Sequence, residues 1–414
     1  MTGKVSDALL PHPPERIGVA VSGGGDSMAL LQLLHRFCAT QVCTLFAVTV
    51  DHGLRAGAVE EAALVARHCA DLGIEHDILK WHGWDGSGNL QNAARTARYG
   101  LMVDWARTRG LDHVALGHTA DDQAETLLMR LARRAGVDGL SGMAPRRLHD
   151  GITWLRPLLG VSRAELREYL RSEGVVWVED PSNEDERFER IRARQTLAAL
   201  APLGIDAEGL SAVAANLSQA RRALDWQTFL AARDMAEIHA GAVVFDRRRL
   251  LILPDEIQRR LLIGALNWIS GAPYPPRRGA VSGMIKALQK GQAGTVDGCH
   301  ARPNQGRIWV FREYDKVRDS RAALDTPWDG RWKLRPPADV PQNETLHVGP
   351  LGGAGLTQCP DWRATGRPHA VLLSTPAIWQ GDALIAAPLA GMGGNWQAEL
   401  LDGAEGFFTA LLSH

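Results

Sequence analysis

What this chain lacks narrows it first. Its five cysteines, Cys38, Cys43, Cys69, Cys299 and Cys359, are odd in number, scattered, and never form a C-x-x-C pair. That excludes a zinc ribbon, a dithiol redox pair and a disulfide framework, and it predicts a reducing compartment. No stretch approaches the roughly 18 consecutive apolar residues of a membrane span, and the first 18 residues hold no apolar core of a secretion signal. A cytoplasmic protein without a membrane partner is expected. Lysine is scarce, six of the 46 basic residues, so the positive charge is nearly all arginine. Biased base composition accounts for this more simply than a demand for forked phosphate contacts. A formal net charge of −1 excludes a globally basic nucleic-acid binder and leaves only local patches.

What is present is ordinary bulk with strong punctuation. At 414 residues and 45% hydrophobic content the chain suits two or three domains. Strand-like runs at 17–21, 44–50, 76–79 and 113–116 alternate with helical patterns from Met28, Val59, Asn89 and Ala120. Such alternation predicts an α/β fold, a doubly wound parallel sheet with its functional loops at the carboxyl ends of the strands. Further helices are expected at 162–172 and 187–200, then a boundary near Pro202 and Gly204. Helical spacing at 210–238 and 255–268 predicts a mostly helical module. Short runs at 331–334, 345–348 and 383–387 between Pro and Gly clusters predict a small β-rich end. The expected domains are 1–205, 206–322 and 323–414.

The stretch Val19-Ala20-Val21-Ser22-Gly23-Gly24-Gly25-Asp26-Ser27-Met28 places a glycine-rich turn between a strand and a helix. Backbone N–H groups there can cradle an anion without a lysine. Asp26 is unfavourable beside phosphate unless a cation joins them, which suggests a Mg²⁺ bridge to a nucleotide. Asp26 and Ser27 also suit a plain helix start. A second group, Leu116-Gly117-His118-Thr119-Ala120-Asp121-Asp122-Gln123-Ala124-Glu125-Thr126, again follows a strand. On a helix, His118, Asp122 and Glu125 would share one face aimed at the same sheet edge. Thr119 with Asp122 also matches a helix-capping pattern.

These motifs carry a resemblance. SGGGDS, then Val50-Asp51-His52-Gly53-Leu54-Arg55, LGHTADDQAETLLMRL, Gly139-Leu140-Ser141-Gly142-Met143 and Glu179-Asp180-Pro181-Ser182-Asn183 together resemble the tRNA(Ile)-lysidine synthetase family of the PP-loop ATP-pyrophosphatases. The match is close over residues 16–200 and loose beyond. The resemblance implies a ligase that uses ATP and Mg²⁺ to join free L-lysine to C2 of the wobble cytidine in the CAU anticodon of an isoleucine tRNA. An adenylated cytidine forms first, diphosphate and AMP leave, and the tRNA changes from AUG to AUA reading and from Met to Ile identity. It implies that Ser22, Gly23, Gly24, Gly25, Asp26 and Ser27 bind ATP, and that Asp26, His118 and Asp122 are catalytic. Asp122 would receive the lysine ammonium, which is mostly protonated at pH 7 because the side-chain pKa is about 10.4.

Asp121 and Glu125 are second choices for that task. Asn92-Ala93-Ala94-Arg95-Thr96-Ala97-Arg98-Tyr99 is similar to a site-lining helix of the family, with Arg95 and Arg98 suited to phosphate or to the lysine carboxylate, or to a solvated face. Arg187, Arg190, Arg192 and Arg194 suit an RNA backbone. There the chain departs from the family: its usual Arg-Asn-x-hydrophobic-Arg is Arg190-Ile191-Arg192-Ala193-Arg194, and the asparagine is missing. Arg277, Arg278, Lys286 and Lys290 are further basic positions for the tRNA body or for plain surface. A homodimer is one assembly left open. The rivals are a tRNA thiolase, which needs a reactive cysteine pair or an iron-sulfur site, a GMP-synthetase-type amidotransferase, which needs a glutaminase, and a non-catalytic RNA binder.

Overall fold

A computed structural model describes residues 2–53, 57–81, 90–179, 189–272, 274–337 and 346–412, without the side chains of Thr2, Gln91 and Asn92. Leu54, Arg55, Asn89, Asp180-Pro181-Ser182-Asn183, Arg187 and Thr345 lie outside the described residues. The chain forms two compact units, Met1–Arg221 and Arg222–His414. Three domains were expected, with boundaries at 205 and 322.

The first unit is built as β1 (Arg16–Ala20), β2 (Thr44–Asp51), β3 (Glu75–Lys80), β4 (His113–Leu116), β5 (Arg146–His149) and β6 (Ile152–Leu155), in sheet order β3-β2-β1-β4-β6-β5. All pairs are parallel except β5 with β6. Its helices are α1 (Thr2–Leu9), α2 (Gly25–Thr40), α3 (Ala58–Asp71), α4 (Leu90–Arg109), α5 (Ala120–Ala132), α6 (Val137–Leu140), α7 (Arg163–Ser172), α8 (Glu189–Leu200) and α9 (Ala207–Met235), the last running on past Arg221.

Alternating side chains send each strand's apolar residues to two faces. Ile17, Val19, Leu45, Ala47 and Ala115 join Met28, Leu31, Leu34, Val65 and Leu166 from α2, α3 and α7. Phe46, Val48, Val114 and Leu116 join Met102, Val103 and Ala106 from α4 on the other face. Each buried Leu, Val, Phe or Met contributes about 1.5–3 kcal/mol of burial free energy, so both helix layers are anchored to the sheet. Because β1 lies between β2 and β4, the strand order reverses there, and a crevice opens at the carboxyl ends of β1 and β4.

The second unit departs from the mostly helical expectation for 206–322. Helices α10 (Arg247–Leu251), α11 (Asp255–Ser270) and α12 (Arg278–Gln289) are present. So is an antiparallel sheet of β7 (Ala236–His239), β8 (Ala242–Asp246), β9 (Gly294–Val296), β10 (Cys299–Asn304) and β11 (Arg307–Arg312), in order β7-β8-β11-β10-β9. Phe245, Ile308 and Val310 of this sheet bury against Leu261, Leu262, Leu266 and Met284, with Phe407 of the terminal helix Glu405–Ala410 closing the cluster. The burial of one sheet face is what makes these short strands stable.

The end of the chain is β-rich as expected. β13 (Leu346–Pro350), β14 (Pro376–Gln380) and β15 (Ala383–Ala386) form one antiparallel sheet, and β12 (Trp332–Arg335) pairs with β16 (Gln397–Leu400). Among the described residues no single helix is long and apolar enough to cross a membrane.

Candidate active site

The loop after β1 leaves its donors open. α2 begins at Gly25, three residues before the expected Met28, and its N-cap Gly24 offers no side-chain acceptor to the first turn. Those N–H groups are therefore available to an anion, at the positive end of the helix. Ser27 Oγ donates to the Gly24 carbonyl at 2.9 Å and accepts the Ser22 N–H at 3.1 Å, so Ser27 shapes the turn from inside. Gly23, at φ +84°, turns its carbonyl to the Val178 N–H at 2.9 Å. A cavity of about 1030 Å³ is lined by Ser22, Gly24, Gly25, Asp26 and Ser27 from this loop, by His118 and Asp122, and by Arg98, Arg163 and Arg194. Gly23 does not line it.

The second group sits directly across the crevice. A Cβ on Gly117 would stand 3.1 Å from the Asp26 carbonyl group and from Ser27 Cα, so only glycine lets β4 end this close to α2. His118 is not on the helix, contrary to the expected shared face with Asp122 and Glu125. Thr119 is the extended N-cap of α5 and breaks the helical phase before His118. The three side chains still converge, by turn geometry for His118 and by helix geometry for the other two.

Capping and facing the site turn out to be compatible for Asp122. Its Oδ2 accepts the Thr119 N–H at 2.9 Å and the Thr119 hydroxyl at 3.0 Å, completing a capping box. Its Oδ1 turns the other way and accepts from Arg163 at 2.7 Å. Burial works against the charge on Asp122, but Arg163 and the Thr119 N–H together hold its carboxyl below the usual range.

Arg163 is the residue that motif reading missed. It opens α7 behind the Ser162–Glu165 capping box, and its backbone N–H donates to Asp121 Oδ2 at 2.8 Å. Asp121 thus ties α7 to α5. The three guanidinium nitrogens reach three carboxylates: Nε to Asp26 at 3.1 Å, Nη1 to Glu125 at 2.9 Å and Nη2 to Asp122 at 2.7 Å. Burial alone would lower the Arg163 pKa, and these anions outweigh it and push it up. Asp26 is raised, chiefly by burial and also by Asp122 and Asp121, although Arg163 opposes the rise. A signal was available: arginine in the first turn of a helix meets the positive end of the dipole, and so needs an anionic partner.

The arginine run divides. Positions i and i+4 of α8 face alike and i+2 faces away. Arg194 Nε therefore reaches Glu125 Oε1 at 3.0 Å and Arg190 comes within 4.0 Å of Asp122, whereas Arg192 is exposed. Ile191 and Ala193 are buried, so the position where the family carries asparagine is here a core contact. Arg190 and Arg194 thus face the site carboxylates while Arg192 points away from them.

On the other flank, Arg98 lines the cavity and Arg95 is exposed, with both guanidinium groups within 5.6 Å of the Tyr99 ring centre. Burial lowers the Arg98 pKa, and its Nε has no hydrogen-bond partner. His118 is lowered to about 3, first by burial and then by Arg156, Arg190 and Arg98, against the pull of Asp122. Its imidazole is therefore neutral near pH 7, and its Nδ1 is buried without a partner. Arg156, buried and donating to the Ala144 carbonyl at 2.9 Å, is a second basic neighbour that the motifs did not indicate.

No group of three or more metal-ligating side chains occurs among the described residues. A Mg²⁺ carried in on phosphates needs only one or two protein carboxylates, so Asp26, beside the open turn and also bonded to Arg163, fits that mode. The five cysteines are free and none lines the cavity.

Comparison with known proteins agrees with this geometry. A PP-loop domain family matches residues 2–201. A tRNA(Ile)-lysidine synthase of Ruegeria pomeroyi is 54% identical, covering 97% of this chain and 95% of that one. Proteins of the same name from Bradyrhizobium sp. strain BTAi1 and Wolbachia pipientis wMel are 40% and 34% identical, covering 68% and 77% of this chain and 81% and 76% of theirs. With an anion cradle and an acid cluster at one sheet edge and that likeness along nearly its whole length, the chain belongs to the tRNA(Ile)-lysidine synthase family.

Proposed function

We propose that this enzyme joins the ε-amine of free lysine to C2 of the wobble cytidine of a CAU-anticodon isoleucine tRNA, in two steps within the one cavity. The observation that carries this reading is the pairing of an uncapped helix start with a buried acid cluster across β1 and β4. The open N–H groups of α2 take the diphosphate portion of ATP and leave the α-phosphate exposed to the C2 oxygen of the base. Asp26 would hold a Mg²⁺ that arrives with the nucleotide, which would neutralise charge on that phosphate.

The second step needs a cationic amine to be captured and then deprotonated. Asp122, which lines the cavity, receives the ammonium, and Glu125, buried behind it, adds its charge. His118, held neutral, positions the nucleotide beside Asp122, and the ammonium gives up its proton through the Asp122 carboxylate as the nitrogen attacks C2 and AMP leaves. Arg98 steadies an anionic group beside it, either a phosphate or the lysine carboxylate.

The test is to incubate the protein with ATP, labelled lysine and unfractionated tRNA. Label is expected in the CAU isoleucine tRNA alone. Label spread over many tRNAs, or none, refutes the reading. Replacing all five cysteines by serine or alanine is expected to leave transfer intact, and an inactive folded variant would favour the thiolase alternative.

A further inference from the structure

Arg163 has a place in that chemistry which no motif assigns. Its guanidinium, 18% exposed, joins the carboxylate of the nucleotide loop to two carboxylates of α5 that are 8% and 1% exposed. These are the anions that an incoming ammonium would use. Three carboxylates meet three guanidinium groups, Arg163 among them and the half-exposed Arg190 and Arg194 at the edge, so their charges balance. An incoming ammonium must therefore displace a guanidinium, because the best-placed oxygen, Asp122 Oδ1, is already occupied at 2.7 Å.

We propose that Arg163 is a positioning residue for lysine transfer, holding Asp26, Asp122 and Glu125 as one set and competing with the substrate ammonium for them. This rests on the assignment of lysine to the acid cluster made above. Two consequences separate it from a merely structural role. Removing the guanidinium frees Asp122 for the ammonium, so lysine binds more tightly. It also releases three like charges from their common anchor, so the carboxylates part and turnover falls.

A lysine at the same place keeps a charge but cannot fork to three partners. Competition then persists while positioning is lost.

The experiment measures lysine KM and kcat at saturating ATP and tRNA for Arg163→Gln, Arg163→Lys and Asp122→Asn. Arg163→Gln is expected to lower KM about threefold and kcat by about tenfold or more, and Arg163→Lys to lower kcat similarly with KM within about twofold of wild type. Asp122→Asn must raise KM in the same assay. A raised KM in Asp122→Asn with an unchanged or higher KM in Arg163→Gln overturns the inference and leaves the lysine assignment standing. An unchanged KM in Asp122→Asn defeats the assignment and the inference together. Should Arg163→Gln fail to fold, Arg163→Lys decides: wild-type kcat overturns the proposal, and the kcat loss at constant KM supports it.

Discussion

Two helices begin at the same edge of the same sheet, and they treat their first turns in opposite ways. α2 starts on glycine with no side-chain cap, so its N–H donors wait for an external anion. α5 starts on Thr119 in a closed capping box with Asp122, so its donors are satisfied from within. An open start is a binding site and a closed start is a rigid mount. On the proposed reading the first takes the nucleotide and the second holds carboxylates still, and a single arginine from a third helix start ties the two together.

If that contrast holds, damage on the α2 side stops the first chemical step. Asp26→Asn is expected to reduce diphosphate release more than about 100-fold while tRNA affinity stays within about twofold, because a metal ligand is lost and no RNA contact. Single-turnover release and filter binding on the same preparation would separate the two effects, and the opposite pattern removes Asp26 from the metal role. Gly117→Ala comes next. Its Cβ meets backbone and not a flexible side chain, so a stability loss of about 1–3 kcal/mol is expected, as for other overpacked sites. Thermal melts with adenylation rates will show whether the α2 start shifts.

On the α5 side smaller effects are expected. Thr119→Ala removes the cap at a cost of about 1 kcal/mol and should raise lysine KM less than Asp122→Asn does. A variant with normal stability would mean that the box contributes nothing.

His118 provides a pH test. Its folded-state pKa, about 3, lies below its ordinary 6.5, so protonation favours the unfolded chain. Its contribution to stability is full above pH 6.5 and is lost as pH falls toward 3. The Tm of the wild type should fall more steeply from pH 6.5 downward than that of His118→Gln. Parallel slopes would place the histidine in water.

Legibility followed the length scale of each signal. Strand β4 matches its expected bounds, 113–116, and β1, β2 and β3 fall within one residue of theirs, because continuous apolar runs between turn residues have no competing reading. Placing His118 on α5 failed because helical spacing was extended through Thr119, whose capping preference ends the helix. The five-stranded sheet of the second unit escaped notice beside the long helical patterns of α9 and α11. Its three hairpins turn on Ala240-Gly241, with φ of +51° and +72°, Asp297-Gly298, with φ of +46° and +73°, and Gln305-Gly306, with φ of +46° and +77°, which are two-residue turns of the kind that Asp-Gly signals. Arg163 was hidden for a different reason. Its partners come from α2 and α5, far off in sequence, and only the closure of the sheet brings them to one guanidinium.

The division of labour between the two helix starts is tested most directly with ATP labelled at the α-phosphate. Enzyme, purified CAU isoleucine tRNA and labelled ATP are mixed with lysine at ordinary concentration, and label retained on the tRNA is followed in time. Asp26→Asn should place no label on tRNA. Asp122→Asn, folded and able to bind both substrates, should place label on the tRNA and hold it there, because adenylation proceeds while an uncharged amide cannot capture the ammonium. Wild-type turnover by Asp122→Asn, or label held on tRNA by Asp26→Asn, would contradict the account.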